Sequence, residues 1–308
     1  MPNNISFIIP AYNSEKTLDK CVLSIIDGNI EKDDEIIIVD DASTDRTPEI
    51  IMNLQKKYLC VKSTKHNINK CTAAASRNTG IDISKNEIIF CLDSDNLLAK
   101  NSISRLKGLL LENNADAVAF GEIRFFVEDP QTISHKWVFE NKITFAGCLR
   151  NHNNPLTSGN YMFTKDSWKR AGRYFEPKLE NQTLDSWTFG IRQLGTGANF
   201  LTLPDTYYYH KHGHQSHYIR EISKGNVSLS ATIAIIPFLD KIKNKDVDYI
   251  FSRRHRDNWW KLVPKRPIRL KSDNETKREF QIRKIKNNCF KIARIIYRKI
   301  RPKKYETN

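Results

Sequence analysis

The chain has 308 residues, 39% hydrophobic and 10% aromatic, with a formal net charge of +15. That length allows one large domain or two small ones around a sizeable core, and no run approaches the ~20 apolar residues of a membrane span. The charge is uneven: residues 1–235 hold 27 Lys and Arg against 27 Asp and Glu, and residues 236–308 hold the other 23 against 8. A neutral body with a basic appendage is not the uniformly basic surface of a nucleic-acid binder.

The N-terminus, MPNNISFIIPAYN, shows no basic n-region and no small-residue cleavage site, so no signal peptide is expected. Six cysteines, at 21, 60, 71, 91, 148 and 289, have no regular spacing. They are expected to be reduced and mostly buried, with neither a zinc site nor a disulfide framework.

In chain order, ISFIIP (5–10) predicts a strand closed by Pro10, and Ser14 opens a helix with Leu18, Val22 and Ile25 at helical spacing. EIIIVDD (35–41) is a second strand ending in acids. Thr47 and Pro48 read as N-cap and first helical position, ahead of the apolar face Ile50, Ile51 and Leu54. A helix near Ala73–Ile83 precedes the apolar strand from Ile88 to Leu92, which runs into Asp93-Ser94-Asp95. As a local pattern, that ending predicts a turn, with Asp95 or Asn96 capping a segment from Leu97 onward.

Beyond Ala115 the pattern loosens. ADAVAFGEIRFFVED predicts a strand with an irregular extension, and NPLTSGNYMFTKDSWKRAGRY a Gly-Asn turn, a short strand and a helix. TLDSWTFGIRQLGTG predicts a helix stopped at Gly195. ANFLTLPDTYYYHKHGHQSHY predicts a strand, a turn at Pro204-Asp205, and a segment with His210, His212, His214 and His217. Strands alternating with helices argue for an α/β fold with a mostly parallel sheet. Ligands of such sheets bind outside the carboxyl ends of the strands. Three strands here end in polar groups: Pro10-Ala11-Tyr12-Asn13, Asp40-Asp41 and Asp93-Ser94-Asp95. Two acids two residues apart repel unless a cation lies between them.

Five blocks together, IIPAYNSEKTL, IIIVDDASTDRT, AAASRNTGI, IIFCLDSDN and TLDSWTFGIRQLG, resemble the family 2 glycosyltransferases of the GT-A fold, over roughly residues 5–215. The resemblance implies a Rossmann-like sheet flanked by helices and a nucleotide diphosphate sugar as donor, a UDP-sugar foremost. It also implies a divalent cation, Mn²⁺ or Mg²⁺, suited to carboxylate ligands and a diphosphate leaving group. By the same match, Asp95 is the principal metal ligand, and Asp93 contacts the ribose or the metal's water shell. Ser94 belongs to the donor-binding set. Asp41 reads the base edge, Pro10, Ala11 and Tyr12 line that pocket, and Tyr12 is available for stacking on the base. Arg77 matches an arginine that faces the donor phosphates; the bland alternative is a solvated helix arginine. Asp185 matches the general base, with Leu184 where the family has a further acid. His210, then His212, matches a histidine near the metal. The loop KHNINKCT departs from the family: it lacks a glycine within 69–72 and is about a residue longer.

The implied domains are a GT-A body over 1–235, its nucleotide-sugar half at about 1–105 and its acceptor half at about 106–235, with a basic helical extension over 236–308. The implied activity is metal-dependent, inverting sugar transfer to a glycan or lipid-linked acceptor in cell-surface polysaccharide synthesis. The place is the cytoplasm, at the inner face of a membrane. The alternative is an inactive sugar-nucleotide or glycan-binding module. In the tail, Ile282, Ile285, Cys289, Ile292, Ile296 and Ile300 form an apolar stripe opposite Lys and Arg. That is the pattern of an anchor on anionic lipid over 276–304; a helix packed on the body is the competing reading, and nucleic acid is not expected. Each basic residue near an anionic surface contributes about 1 kcal/mol, screened by salt. The full chain is therefore expected to co-sediment with anionic vesicles at low salt, and truncation after residue 270 to release it. Equal binding by both forms would refute the anchor.

Overall fold

The computed structural model describes residues 3–150, 154–176, 185–212 and 233–242. The chain divides into two compact units, Met1–Pro264 and Lys265–Asn308; every described residue lies in the first, and the basic stripe at 276–304 lies outside them.

The N-terminal half alternates strand and helix: β1 (Ile5–Ala11), α1 (Leu18–Ile26), β2 (Glu35–Asp40), α2 (Thr47–Lys57), β3 (Val61–Lys65), α3 (Ala73–Ile83) and β4 (Ile88–Cys91). β5 (Leu97–Leu98), α4 (Ile103–Glu112), β6 (Ala117–Phe126), β7 (Ile133–Val138), β8 (Lys142–Ile143) and α5 (Phe145–Arg150) follow. Last come β9 (Met162–Thr164), α6 (Lys165–Arg170), α7 (Asp185–Gly195) and β10 (Phe200–Lys211). The ten strands form one mixed sheet in the order β3-β2-β1-β4-β9-β6-β10-β5, with β7 beside β6 and β8 beside β10.

β1, β2 and β4 are buried at every position because helices cover both faces, which is why they read as unbroken apolar runs. Alternate side chains of β1 go to opposite cores. Phe7 and Ile9 join Leu18, Cys21, Val22 and Ile25 of α1, and Ile8 joins Ala74 and Ile81 of α3. α3 lies so close to the sheet that a Cβ on Gly80 would stand 2.6 Å from Ile8 Cγ2.

Strands β3, β2, β1 and β4 are parallel. From β1 the chain builds outward through β2 to β3, then returns to place β4 on the other flank. The crevice between β1 and β4 is thus the topological switch point, the standard ligand position of open α/β sheets. Ile8 O accepts from Leu92 N, while Ala11 O accepts from Asp41 N across the other flank. Pro10 lies past the last β1–β4 partner pair, Ile8–Cys91, so its missing N–H falls where the strands have begun to part.

Several local expectations are corrected. The segment after Asn96 is not a helix: Leu97 and Leu98 pair with Tyr209 and Tyr208 of β10, and α4 starts only at Ile103. α1 starts at Leu18 rather than Ser14, whose carbonyl receives the N–H groups of Thr17 and Leu18 in a preceding turn. Thr47 is the first residue of α2 and not its N-cap, which is Arg46; Asp45 Oδ1, just ahead of the cap, accepts from Thr47 N at 2.9 Å. Thr47 Oγ1 instead receives Ser14 N at 2.7 Å.

Pro204-Asp205 is a bulge within β10, not a turn between elements. The pairing with β6 steps from Leu203–Phe120 to Tyr207–Glu122, and Asp205 takes a φ of 57°. Proline has no N–H to donate, so the ladder must break here. Thr206 Oγ1 stitches the gap, donating to Leu203 O at 2.6 Å and accepting from Gly121 N at 3.3 Å. The bulge presses onto Gly121, where a Cβ would lie 2.6 Å from the Leu203 carbonyl oxygen. Backbone cannot yield as a side chain would, so Gly121→Ala is expected to cost ~1–3 kcal/mol. Chemical denaturation reads it as a lower midpoint with an unchanged slope.

Candidate functional site: a carboxylate-lined crevice at the switch point

Three strands deliver their carboxyl ends to this crevice. The first contributes Ala11 and then Tyr12, which is about half exposed at the rim. Asn13 bends away with a φ of 48°, and its Oδ1 accepts from Thr44 N at 2.9 Å, joining the β1 end to the loop after β2.

The second contributes Asp40 and Asp41, both buried. Asp40 Oδ1 accepts from Ser43 N. Asp41 Oδ1 is 2.6 Å from His66 Nδ1, and both its oxygens lie within 3.1 Å of Lys70 N. His66 Nε2 in turn meets Thr79 Oγ1 of α3 at 3.0 Å. Asp41 therefore ties the 66–72 loop to the end of β2. His66 was not singled out in the sequence; its only local sign was its place just after β3, in a loop that departs from the family.

The third strand contributes the acids at 93 and 95. Asn96 N donates to Asp93 O at 3.0 Å, so residues 93–96 form a tight turn. Ser94 Oγ bridges to Ser14 Oγ at 2.8 Å, and the Cys21 thiol of α1 lies 3.4 Å from the Asp93 carbonyl beneath the turn. The two acids differ in their surroundings. Asp93 has both oxygens engaged: Oδ1 by Arg77 Nη2 at 2.5 Å, Oδ2 by Asn160 Nδ2 at 3.2 Å. Asn160 Oδ1 also accepts from Asp93 N at 2.7 Å. Asp95 opens onto the crevice, with protein packed closely about it. Desolvation first, then the charge of Asp93, push its carboxyl up to about 7, against a pull from Lys211.

Arg77, on α3, is buried with its side chain 3% exposed. Its Nη1 donates to Asp185 Oδ2 at 2.7 Å and to Ser186 Oγ at 3.0 Å, and its Nη2 to Asp93. Burial alone would lower its pKa; Asp185 and then Asp93 outweigh that and hold it well above the ordinary value. The Tyr174 ring lies 5.3 Å from its Cζ. Asp185 begins α7, is about a quarter exposed, and accepts from Ser186 N at 2.7 Å. A helix N-terminus favours the ionised carboxylate. Gly159, with a φ of 72°, passes so close that a Cβ would meet Ser186 Oγ at 2.2 Å and Arg77 Nη2 at 3.3 Å. The Gly-Asn pair that reads as a turn in the sequence thus does two jobs: Gly159 leaves room for Ser186 and Arg77, and Asn160 grips Asp93.

At the end of β10, His210 Nδ1 lies 3.3 Å from both Asn96 Nδ2 and Tyr208 Oη. Burial pushes its imidazole down to about 4, so the ring is neutral near pH 7. Asn96 Oδ1 accepts from Lys211 N at 2.9 Å, locking the turn to β10. His212 is exposed and packs edge-on against His135 and Phe125. Leu184, His214 and His217 lie outside the described residues. Among the described residues no three His, Cys, Asp or Glu side chains converge as a ready-made metal cage. Of the five described thiols, all free, Cys21, Cys91 and Cys148 are buried, Cys60 is partly buried and Cys71 is exposed.

A sheet whose N-terminal strands are parallel, with carboxylates at its switch point and a further acid brought in on a helix N-terminus, is the plan of a sugar-nucleotide transferase of the GT-A type. Residues 6–172 match the model of glycosyl transferase family 2, and the chain belongs to that family. A poly(ribitol-phosphate) beta-N-acetylglucosaminyltransferase, TarP, of Staphylococcus aureus strain N315 is 29% identical over 208 residues, 67% of this chain and 62% of the relative. S. aureus TarS 1–349, solved in complex with UDP-GlcNAc, matches with a TM-score of 0.63 at 19% identity, over 83% of this chain and 72% of that one. A mannosyltransferase from Pyrobaculum calidifontis, solved with GDP-Man and Mn²⁺, matches with a TM-score of 0.57 at 16% identity, again over 83% and 72%. At these identities the two structures share the fold. The chain spans less than two thirds of the length of the first curated relatives it matches. No helix among the described residues is long and apolar enough to cross a membrane.

Proposed function

We propose that this protein moves a sugar from a nucleotide diphosphate sugar, a UDP-sugar foremost, to a hydroxyl of a glycan or lipid-linked acceptor, with inversion at the anomeric carbon. The observation that carries the reading is the pair of acids after β4: Asp93 is fully engaged by protein, and Asp95 is open to the crevice with its carboxyl raised. The donors of the two relatives of known structure, UDP-GlcNAc and GDP-Man, support the donor class. The polymer acceptor of the TarP relative supports the acceptor class.

The donor set suits a hard divalent cation. Asp95 offers carboxylate oxygen, its repulsion with Asp93 is what such an ion relieves, and an ion held by one or two carboxylates keeps positions for diphosphate oxygens and water. Asp95 would hold Mn²⁺ or Mg²⁺, with Asp93 close by and neutral His210 as a further candidate. When bound, the ion supplies charge neutralisation for the leaving diphosphate. The chain's own residues do the rest. Pro10, Ala11 and half-exposed Tyr12 line the nucleoside side, with Tyr12 placed to stack on the base and Asp41 to meet its edge. Ser94 abuts the donor between the acids. Asp185 takes the proton of the acceptor hydroxyl as its oxygen attacks the anomeric carbon from the face opposite the leaving group.

The body over 1–235 is proposed as the catalytic domain, with its donor half at about 1–105, and the extension over 236–308 as its seat on an anionic cytoplasmic membrane face, on the strength of the charge count.

Asp95→Ala is expected to abolish transfer and the cation dependence of UDP binding, a loss of several kcal/mol in the transition state. Calorimetry with and without Mn²⁺ measures it, and full turnover of the variant or of the native enzyme in excess EDTA would refute the assignment. Asp185→Asn keeps shape and an acceptor oxygen but takes no proton. UDP binding should survive while transfer falls by ~10²–10⁴-fold; a saturating assay showing native rates would reduce Asp185 to a helix cap.

A further inference from the structure

Arg77 resembles a donor-phosphate arginine, but its two terminal nitrogens are already committed to carboxylates. We propose that Arg77 is a positioning residue. It clamps the acid that ends β4 to the acid that begins α7, and so sets the separation between the donor's diphosphate and the group that takes the acceptor's proton. The proposal rests on the reading of Asp185 as the base.

The geometry is that of a fork with one tine on each acid. Nη2 meets Asp93 Oδ1 at 2.5 Å, and Nη1 meets Asp185 Oδ2 at 2.7 Å and Ser186 Oγ at 3.0 Å. The partners lie 16 and 108 positions away in sequence, on different elements. The surroundings leave the fork little freedom. The side chain is 3% exposed, Tyr174 lies against it, and Gly159 passes within a Cβ's reach of Nη2 and Ser186. Nε is buried with no partner among the described residues, a sign that the terminal nitrogens' geometry is met first. Asn160 holds the far oxygen of Asp93, so that acid is gripped from both sides.

A planar guanidinium can hold two carboxylates in fixed directions, whereas an ammonium is a point charge on a flexible stem. Of the five N–H groups of the guanidinium, the terminal nitrogens direct three at Asp185, Ser186 and Asp93, so the end of the fork that would grip a phosphate is turned onto the two acids.

The test uses the full chain as Arg77→Lys, which keeps the charge, and as Ser186→Ala, which removes one contact of the fork. Three quantities are read: UDP affinity with Mn²⁺ by calorimetry, kcat and KM for transfer, and amide exchange over residues 185–190. For Arg77→Lys the expectation is UDP affinity and both KM values near native and kcat lower by ~10²-fold, the cost of a misplaced group. Exchange should be faster in the first turn of α7, and Ser186→Ala should move kcat and exchange the same way by less. In Arg77→Ala, added guanidinium ion at non-denaturing concentration should restore part of kcat without changing UDP affinity. A loss of UDP affinity equal to the loss of kcat would make Arg77 a phosphate ligand and overturn the clamp. Native kcat with native exchange in Arg77→Lys would overturn it as well. Failure of the base reading shows separately, as native transfer by Asp185→Asn, with exchange still reporting whether the fork holds α7.

Discussion

The guanidinium of Arg77 sits out of water between Asp93 and Asp185, and the rest of the crevice is arranged around keeping it there. Removing a charge this deep from solvent is costly unless it is paired and hydrogen-bonded. Here both terminal nitrogens are met, and neighbouring groups are shaped for the purpose. α3 lies flat on β1 because Gly80 lets it, which brings Arg77 to the sheet edge. Gly159 surrenders its side chain and adopts a left-handed backbone so that Ser186 can reach the same nitrogen. Asn160 completes the shell of Asp93 and so keeps that acid turned toward the arginine. Asp95 is left without such support, so its carboxylate is the one that faces the crevice.

Two acids with the same local spacing thus come to have opposite characters. Asp93 is neutralised from within by a fixed cation and an amide. Asp95 feels the loss of water and its neighbour's charge, opposed by Lys211 and by its own backbone N–H. The division is set by what lies beyond each side chain, an α3 residue for one and open crevice for the other. The same logic governs the nucleoside side, where His66 and the Lys70 amide hold Asp41 while Tyr12 stands free at the rim.

Much of this was legible in the chain itself, and the limits are physical. β1, β2 and β4 show as unbroken apolar runs because both their faces are buried, and α3 is bounded by Thr72, whose side chain accepts from Ala74 N. Polar residues after three strands placed the crevice. What stayed hidden depends on partners distant in sequence. Leu97-Leu98 is a strand only because β10 pairs with it more than a hundred residues later, and nothing local separates it from a helix start. Thr47 is no cap: Ser14 N claims its hydroxyl, and its own N–H goes to Asp45. Arg77 read as a phosphate ligand or a surface charge, since its partners arrive from β4 and from α7.

The bulge at 204–206 also fixes how the protein can vary in length. Leu203 and Tyr208 are five residues apart yet face the same core, and Phe120 and Ile123, three apart on the neighbouring strand, do likewise. Both strands therefore shift phase together at this kink, and only beyond it do Tyr208 and His210 turn toward Asn160 and Asn96. Side-chain direction in a strand has a period of two, so one residue gained or lost between Leu203 and Tyr207 would hand Tyr209 and Lys211 the inward places instead. The kink works as a counter: the segment can change its letters freely, but its number of letters is part of the active-site design.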